Sequence, residues 1–365
     1  MAVPLFASSL EPYHDALEER IAAVVRSGRY ILGPEVAAFE DEFAAYLGVG
    51  HCVGVANGTD ALTIALRALG VAPGDEVVMP SFTFYATAEA AVAAGAVPVF
   101  CDVDPETACV TPETVERALT PRTRAIVPVH LFGNVAPADE LRSFGLPVLE
   151  DAAQAAGATR GGRRAGALGD AATFSFFPSK NLPCLGDGGA IATDSDEVAA
   201  HARRLRFHGS RDKETFEDAG YNSRLDEVQA AVLRVLLPEL NGWNTTRRAA
   251  AAAYEARGLG DVPGLELPQP APGADPVYHL YVTRHERADE LAAALGEHGV
   301  QARGYYRRPT HLQPAMARFG EGLELPSTDE LARTNLALPM GHDLSEEAVA
   351  EVVDAFAEVA GAVAG

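Results

Sequence analysis

Lysine is almost missing from this chain. Of its 29 basic residues only two are lysines, Lys180 and Lys213, and the rest are arginines. Positive charge as a whole is in short supply, because 51 acidic residues bring the formal net charge to −22. A general affinity for nucleic acid or for anionic membrane surfaces is therefore not expected. An anionic small molecule would need a local pocket of amides and arginines. Cysteine occurs four times, at Cys52, Cys101, Cys109 and Cys184, without a C-x-x-C pair, which excludes a disulfide scaffold. No uninterrupted apolar run reaches membrane-spanning length. The opening MAVPLFASSLEPYHDALEER has neither the basic start nor the apolar core of a signal peptide, so a cytoplasmic protein is expected.

What the chain does have is the composition of an ordinary globular protein, 48% hydrophobic and 22% charged over 365 residues. Residues 1–240 alternate short β-branched runs with alanine-rich helical patterns, the signature of an α/β domain with a mostly parallel sheet. Strands are expected at 51–56, 75–80, 97–103, 125–130, 147–151, 171–176 and 190–194. Helices are expected to follow several of them, at 59–69, 84–94, 112–119 and 196–206. A long helical stretch over 223–257 carries a break at Pro238. The proline- and glycine-rich 261–276 reads as a connection. A strand at VYHLYVTR, a helix at ADELAAALGEHGV and a final helix from Ser345 make 241–365 a smaller α+β domain.

Chemically useful residues fall at the expected carboxyl ends of strands, where doubly wound sheets bind ligands. In VANGTDALTIAL (55–66) a strand runs into a helix start whose free amides suit a phosphate, with Gly58 allowing close approach and Thr59 adding a hydroxyl. An ordinary N-cap by Thr59 or Asp60 explains the same text. In PVLEDAAQAAG (147–157) Asp151 ends an apolar strand and Gln154 follows. A buried carboxylate needs a cation; a protonated ring nitrogen or a structural arginine would serve. No ligand spacing supports a metal site at Asp102, Asp104 and His130. RRLR (203–206) reads as a solvated helix face.

FSFFPSKNLPCLGDGG (174–189) sets Ser175 and Lys180 in an apolar run before a glycine-rich turn. A lysine in apolar surroundings has a lowered pKa and serves as a nucleophile or proton carrier. Arginine does not deprotonate in proteins, so a chain that writes nearly every cation as arginine keeps this lysine for its amine. The competing reading is a lysine extending to solvent from a strand end, a place that arginine would fill equally well.

Together these elements resemble a fold type I, pyridoxal-phosphate (PLP) dependent aminotransferase of the DegT/DnrJ/EryC1/StrS family. The resemblance extends through GPEVAAFEDEFAAYLGV (33–49), NGTDAL (57–62), PSFTFYATAEA (80–90), VHLFGN (129–134), EDAAQAAGA (150–158), FSFFPSKNL (174–182), GDGGAI (186–191), GYNSRLDEVQAAVL (220–233) and LPM (338–340). It implies a mostly parallel seven-stranded sheet flanked by helices, plus the smaller C-terminal domain. It also implies that Lys180 carries PLP as a Schiff base and moves the proton, and that Asp151 keeps the pyridine nitrogen protonated. Gln154 would bond the phenolic oxygen and Phe84 would stack on the ring. Gly58, Thr59 and Ser175 would bind the phosphate, with Asn222 arriving from the other subunit of a homodimer. Pro183 and Cys184 stand where the family commonly has Gly-Ala.

The resemblance implies amino transfer from L-glutamate to a nucleotide-linked, dTDP-bound 3- or 4-keto-6-deoxy sugar, for natural-product or surface-glycan biosynthesis. Tyr306, Arg307 and Arg308 are candidate substrate contacts. A keto-cyclitol acceptor is the alternative within enzymes, and a PLP-fold regulator without turnover is the alternative outside them. A Rossmann-type nucleotide module would need a glycine fingerprint that GDGGA does not provide.

Overall fold

The computed structural model describes residues 2–363. Seven short strands form its central layer: β1 (His51–Val55), β2 (Glu76–Pro80), β3 (Val97–Cys101), β4 (Thr123–Ile126), β5 (Leu149–Asp151), β6 (Ala171–Ser175) and β7 (Gly189–Thr193). Strands β3, β2 and β4 pair in parallel, as do β5 and β6, whereas β7 runs antiparallel between β6 and β1. Parallel bridges Ile126–Val148 and Val129–Asp151 join the two halves. The spatial order is 3-2-4-5-6-7-1, with β7 alone reversed. These strands read as continuous apolar runs because helices cover both faces; every residue of β2 and β7 is buried.

The covering helices are α1 (His14–Ser27), α2 (Pro34–Leu47), α3 (Gly58–Ala68), α4 (Ala86–Ala93), α5 (Asp196–Leu205) and α6 (Glu227–Leu236). A single 3-10 turn, Leu237–Glu239, separates α6 from α7 (Leu240–Ala256). The break falls at Pro238, which lacks the N–H that a continuous helix requires.

A second layer pairs β8 (Tyr281–Arg284) with β9 (Asn335–Leu338), antiparallel, beside α8 (Ala288–Glu297), α9 (Pro326–Thr334) and α10 (Glu346–Val363). Its core includes Tyr254 of α7 with Leu291, Leu295, Leu336, Leu338, Val352 and Phe356. Residues 3–9 join this layer rather than the larger unit with which the sequence reading grouped them. Val3 N–H donates to the Gly299 carbonyl at 2.9 Å and Ala7 N–H to Met340 at 3.1 Å. The apolar Val3 and Leu5 find cover there.

The basic run 203–206 is not wholly a solvated face. Arg206 is buried and bonds Glu40 and, at 2.7 Å, the Gly54 carbonyl. Buried Glu40 also accepts Gly54 N–H at 2.8 Å, so the arginine neutralises a carboxylate held inside by backbone. Asp102 caps α9 through Ser327 N–H and Thr328 N–H, at 3.0 and 2.8 Å. His130 meets Glu150 at 2.8 Å in the core. The described residues contain no cluster arranged to hold a metal ion. All four cysteines are unpaired and buried.

Candidate active site

The carboxyl ends of β1, β5 and β6 converge on one cleft. At the end of β1 the Asn57 side chain accepts Asp60 N–H at 2.8 Å, and its carbonyl accepts Ala61 N–H at 3.0 Å. Asn57 is therefore the N-cap of α3, in place of Thr59 or Asp60. The amides of Gly58 and Thr59 occupy the first turn, where a helix supplies no internal acceptor. A Cβ on Gly58 would stand 2.8 Å from Ser175 Cβ, and one on Gly189 would stand 2.4 Å from the Asn57 carbonyl. Glycine at both positions lets β6 and β7 close against the helix start, leaving a side-chain-free cradle bordered by the Thr59 and Ser175 hydroxyls.

Asp151 ends β5 and is buried. Its carboxylate accepts the Thr87 hydroxyl at 2.8 Å and Ala153 N–H at 3.2 Å. Burial raises its pKa, against the opposing pull of these donors and of the Lys180 charge. Among the described residues no cation forms an ion pair with it, so the carboxylate is short of a positive partner. Gln154 is buried on the following turn. Its Oε1 accepts Phe132 N–H at 2.6 Å, which turns Nε2 toward the Tyr306 hydroxyl at 3.2 Å. That amide nitrogen carries two hydrogens, and the tyrosine takes one.

Lys180 lies beyond the end of β6, in a turn closed by its own N–H donating to the Phe177 carbonyl at 2.8 Å. The residue is only partly covered, but its amine sits deep in the fold. Burial lowers its pKa to about 8, with Asp151 pulling the other way. A substantial neutral fraction at mild pH is what a nucleophilic or proton-carrying amine requires. Behind it Cys184 is fully buried; its N–H donates to Phe176 at 2.7 Å and its thiol contacts the Gly186 carbonyl at 3.3 Å. Burial pushes that thiol up to about 12. Cys184 thus closes the lysine loop as a compact apolar side chain and is not a nucleophile.

The remaining sequence candidates divide. The exposed Phe84 ring lies 5.7 Å from that of Tyr306, at the mouth of the cleft. Asn222 is exposed and bridges to Phe207. Arg307 is committed elsewhere: it pairs with Asp289 at 2.6 Å and bonds the Ala332 and Asn335 carbonyls at the end of α9. A guanidinium so engaged is a tether for the second layer, not a free cation. Arg308 is exposed and donates to the Leu312 carbonyl at 2.8 Å. Thr87, Asn57 and His279 escaped the sequence reading. Thr87 lies in the first turn of α4, which brings its hydroxyl to the end of β5.

Comparison with known proteins decides what this cleft belongs to. The model of the DegT/DnrJ/EryC1/StrS aminotransferase family matches residues 13–357. The chain belongs to this family. It is an aminotransferase, and the family's cofactor is PLP. It is 49% identical over 344 residues, 93% of the chain and 90% of the relative, to a dTDP-3-amino-3,4,6-trideoxy-alpha-D-glucose transaminase of Streptomyces venezuelae. It is 46% identical, over 92% of each chain, to a pleiotropic regulatory protein of Geobacillus stearothermophilus. The crystal structure of S. venezuelae DesV in complex with a ketimine intermediate superposes with a TM-score of 0.94 at 47% identity, covering 98% of both chains. The aminotransferase's own geometry fits PLP on two independent counts. The Gly58 and Gly189 cradle offers amides and hydroxyls to a phosphate, and Asp151 is a buried carboxylate that among the described residues has no ion-pair partner.

Proposed function

We propose that this aminotransferase moves the amino group of L-glutamate onto the keto carbon of a dTDP-linked 6-deoxy sugar, with position 3 favoured. The observation that carries the reading is Lys180, a buried amine with a pKa near 8 that shares the cleft with the cation-deficient Asp151. The substrate class rests on the 49% identity to the S. venezuelae sugar transaminase. The cofactor-binding unit is residues 10–240, and the smaller unit is 241–365 together with residues 3–9.

Bound PLP supplies an electron sink for the carbanion formed at the carbon that gives up its proton. The chain supplies the rest. Asp151, held as an acceptor by Thr87 and Ala153 N–H, stabilises positive charge at the end of β5. Gln154, its oxygen fixed by Phe132, presents an N–H to an anionic oxygen. The amides of Gly58 and Thr59 and the Ser175 hydroxyl hold phosphate. Lys180 Nζ takes the proton from the amino donor's carbon in one half-reaction and returns a proton to the sugar carbon in the other. Glutamate's carbon takes its new carbonyl oxygen from one water and leaves as 2-oxoglutarate, and the sugar's keto oxygen leaves as water.

A second copy of the chain completes the site in this reading. Tyr30, Ile31, Phe177 and Leu185 are all exposed. Tyr30, Ile31 and Leu185 border the start of α6, because Tyr30 O accepts Glu227 N–H at 3.1 Å, Ile31 bridges to Asp226 and Leu185 N–H donates to Gln229 at 2.9 Å. An apolar edge of this kind favours self-association, and Asn222 stands on the same segment. Incubating the purified protein with [15N]glutamate and dTDP-3-oxo- or dTDP-4-oxo-6-deoxyhexose tests the proposal. It predicts 15N in the 3-amino sugar. Label in neither sugar refutes the substrate class, and glutamate that keeps its amino group throughout favours a regulatory role without turnover.

A further inference from the structure

Next to Lys180 lies a buried polar network that the chemistry above does not use. Asn181, His279 and Asn244 are 2%, 4% and 1% exposed. Asn181 Nδ2 donates to Asn244 Oδ1 at 2.9 Å and to the Val277 carbonyl at 3.1 Å. Both partners are acceptors, so the amide's orientation is settled and its Oδ1 faces His279 Nδ1 at 3.2 Å. A carbonyl oxygen cannot donate, so His279 carries its proton on Nδ1. Asn244 Nδ2 continues the chain to the Ala156 carbonyl at 2.9 Å. Gly157 has φ +89°, and a Cβ there would come 2.4 Å from Asn244 Nδ2. The network therefore ties four places together: the turn just past Gln154, the residue after Lys180, helix α7 and the entry to β8.

We propose that His279 and Asn181 are a positioning pair that fixes the surroundings of the Lys180 amine and thereby its affinity for a proton. Both polar atoms of the Asn181 side chain are engaged by buried partners, which holds the residue after Lys180 in one orientation with its oxygen turned to His279. His279 is suited to this because it stays neutral. Burial, with the charges of Lys180 and Arg247, presses its pKa well below the ordinary value. The charged group acting on Lys180 is Asp151, and His130 acts in turn on Asp151. Replacing His279 by a residue without a donor frees the Asn181 oxygen, and a hydrogen bond to the charged form raises a lysine pKa.

The inference rests on Lys180 being the working amine, yet its test reads that amine directly in the cofactor-free chain, so it stands or falls apart from the transaminase reading. With only two lysines, protein labelled with [ε-13C]lysine gives two side-chain signals, and Lys180→Arg assigns them. The wild-type Lys180 signal is expected to titrate near pH 8. In His279→Leu the midpoint moves up by about 0.5 or more. In His279→Asn, whose amide N–H replaces Nδ1–H, it returns to the wild-type value. A folded His279→Leu with an unchanged midpoint, or a His279→Asn shifted as far as the leucine variant, overturns the proposal. If His279→Leu does not fold, His279→Gln replaces it, because its longer amide misses Asn181. An unshifted midpoint in His279→Gln then overturns the proposal equally.

Discussion

Replacing Lys180 by methionine in the cofactor-free chain should change stability in a way that depends on pH. The amine titrates at about 8 in the fold against 10.5 in an unperturbed lysine. A folded pKa below the unfolded one means that folding disfavours the ammonium form. The cost is fully present below pH 8, and it is lifted as pH rises from 8 to 10.5, where the unfolded chain still holds the proton and the folded chain does not. At about 1.4 kcal/mol for each pH unit of difference, the cost at neutral pH approaches about 3 kcal/mol before solvent contact of the partly covered side chain reduces it. Between pH 7 and pH 9 the wild-type chain should therefore recover on the order of 1 kcal/mol. Lys180→Met has no amine and recovers nothing. Asp151 loses a nearby cation in the variant, which lowers its absolute advantage, so the slope is the diagnostic. Urea unfolding of both proteins at pH 7 and 9, followed by the single tryptophan Trp243, measures it. The stability margin of Lys180→Met over wild type should shrink by about 1 kcal/mol at the higher pH. A margin equal at both values refutes the buried-amine account.

Thr87→Val removes the hydroxyl that Asp151 accepts at 2.8 Å. A lost hydrogen bond to a charged group costs about 1.5–3 kcal/mol, read here as PLP affinity weakened at least tenfold in a fluorescence titration. Gly58→Ala places a methyl 2.8 Å from Ser175 Cβ, and isothermal titration should find PLP binding largely lost while the apo chain stays folded. Arg206→Ala leaves Glu40 unpaired in the core, and chemical denaturation should register a loss of about 3–5 kcal/mol. Arg307→Ala should lower the melting temperature and leave the Km for the nucleotide sugar unchanged, because its guanidinium bonds Asp289 and the end of α9.

Where local text carries the physics, the sequence was readable. Runs such as VVM, VFC and AIA are apolar on both faces and end in turns, so all seven strands and the Pro238 break could be placed from pattern alone. Asp151, Gln154 and Lys180 were visible because a charge or amide ending an apolar strand is unusual. Reading failed where a partner distant in sequence decides a side chain's role. Arg206 is buried because Glu40 waits 166 residues away, and Arg307 is consumed by Asp289 and α9. The helix cap went to Asn57, one residue before the glycine, since only there does the extended backbone aim an oxygen at Asp60 N–H. His279 gave no local sign, because its partner Asn181 lies 98 residues earlier. Cys184 stands where the family commonly has alanine, and its burial fits that place: the thiol packs beneath Gly188, where a Cβ would approach Sγ to 3.0 Å.

The central claim is that Lys180 is the amine through which this aminotransferase holds PLP. Because the chain offers only Lys180 and Lys213, one measurement tests it cleanly. The PLP-loaded protein is reduced with borohydride, digested and mapped by mass spectrometry. The account predicts the phosphopyridoxyl group on Lys180 alone, at close to one per chain. The group on Lys213, or on neither lysine, would contradict it.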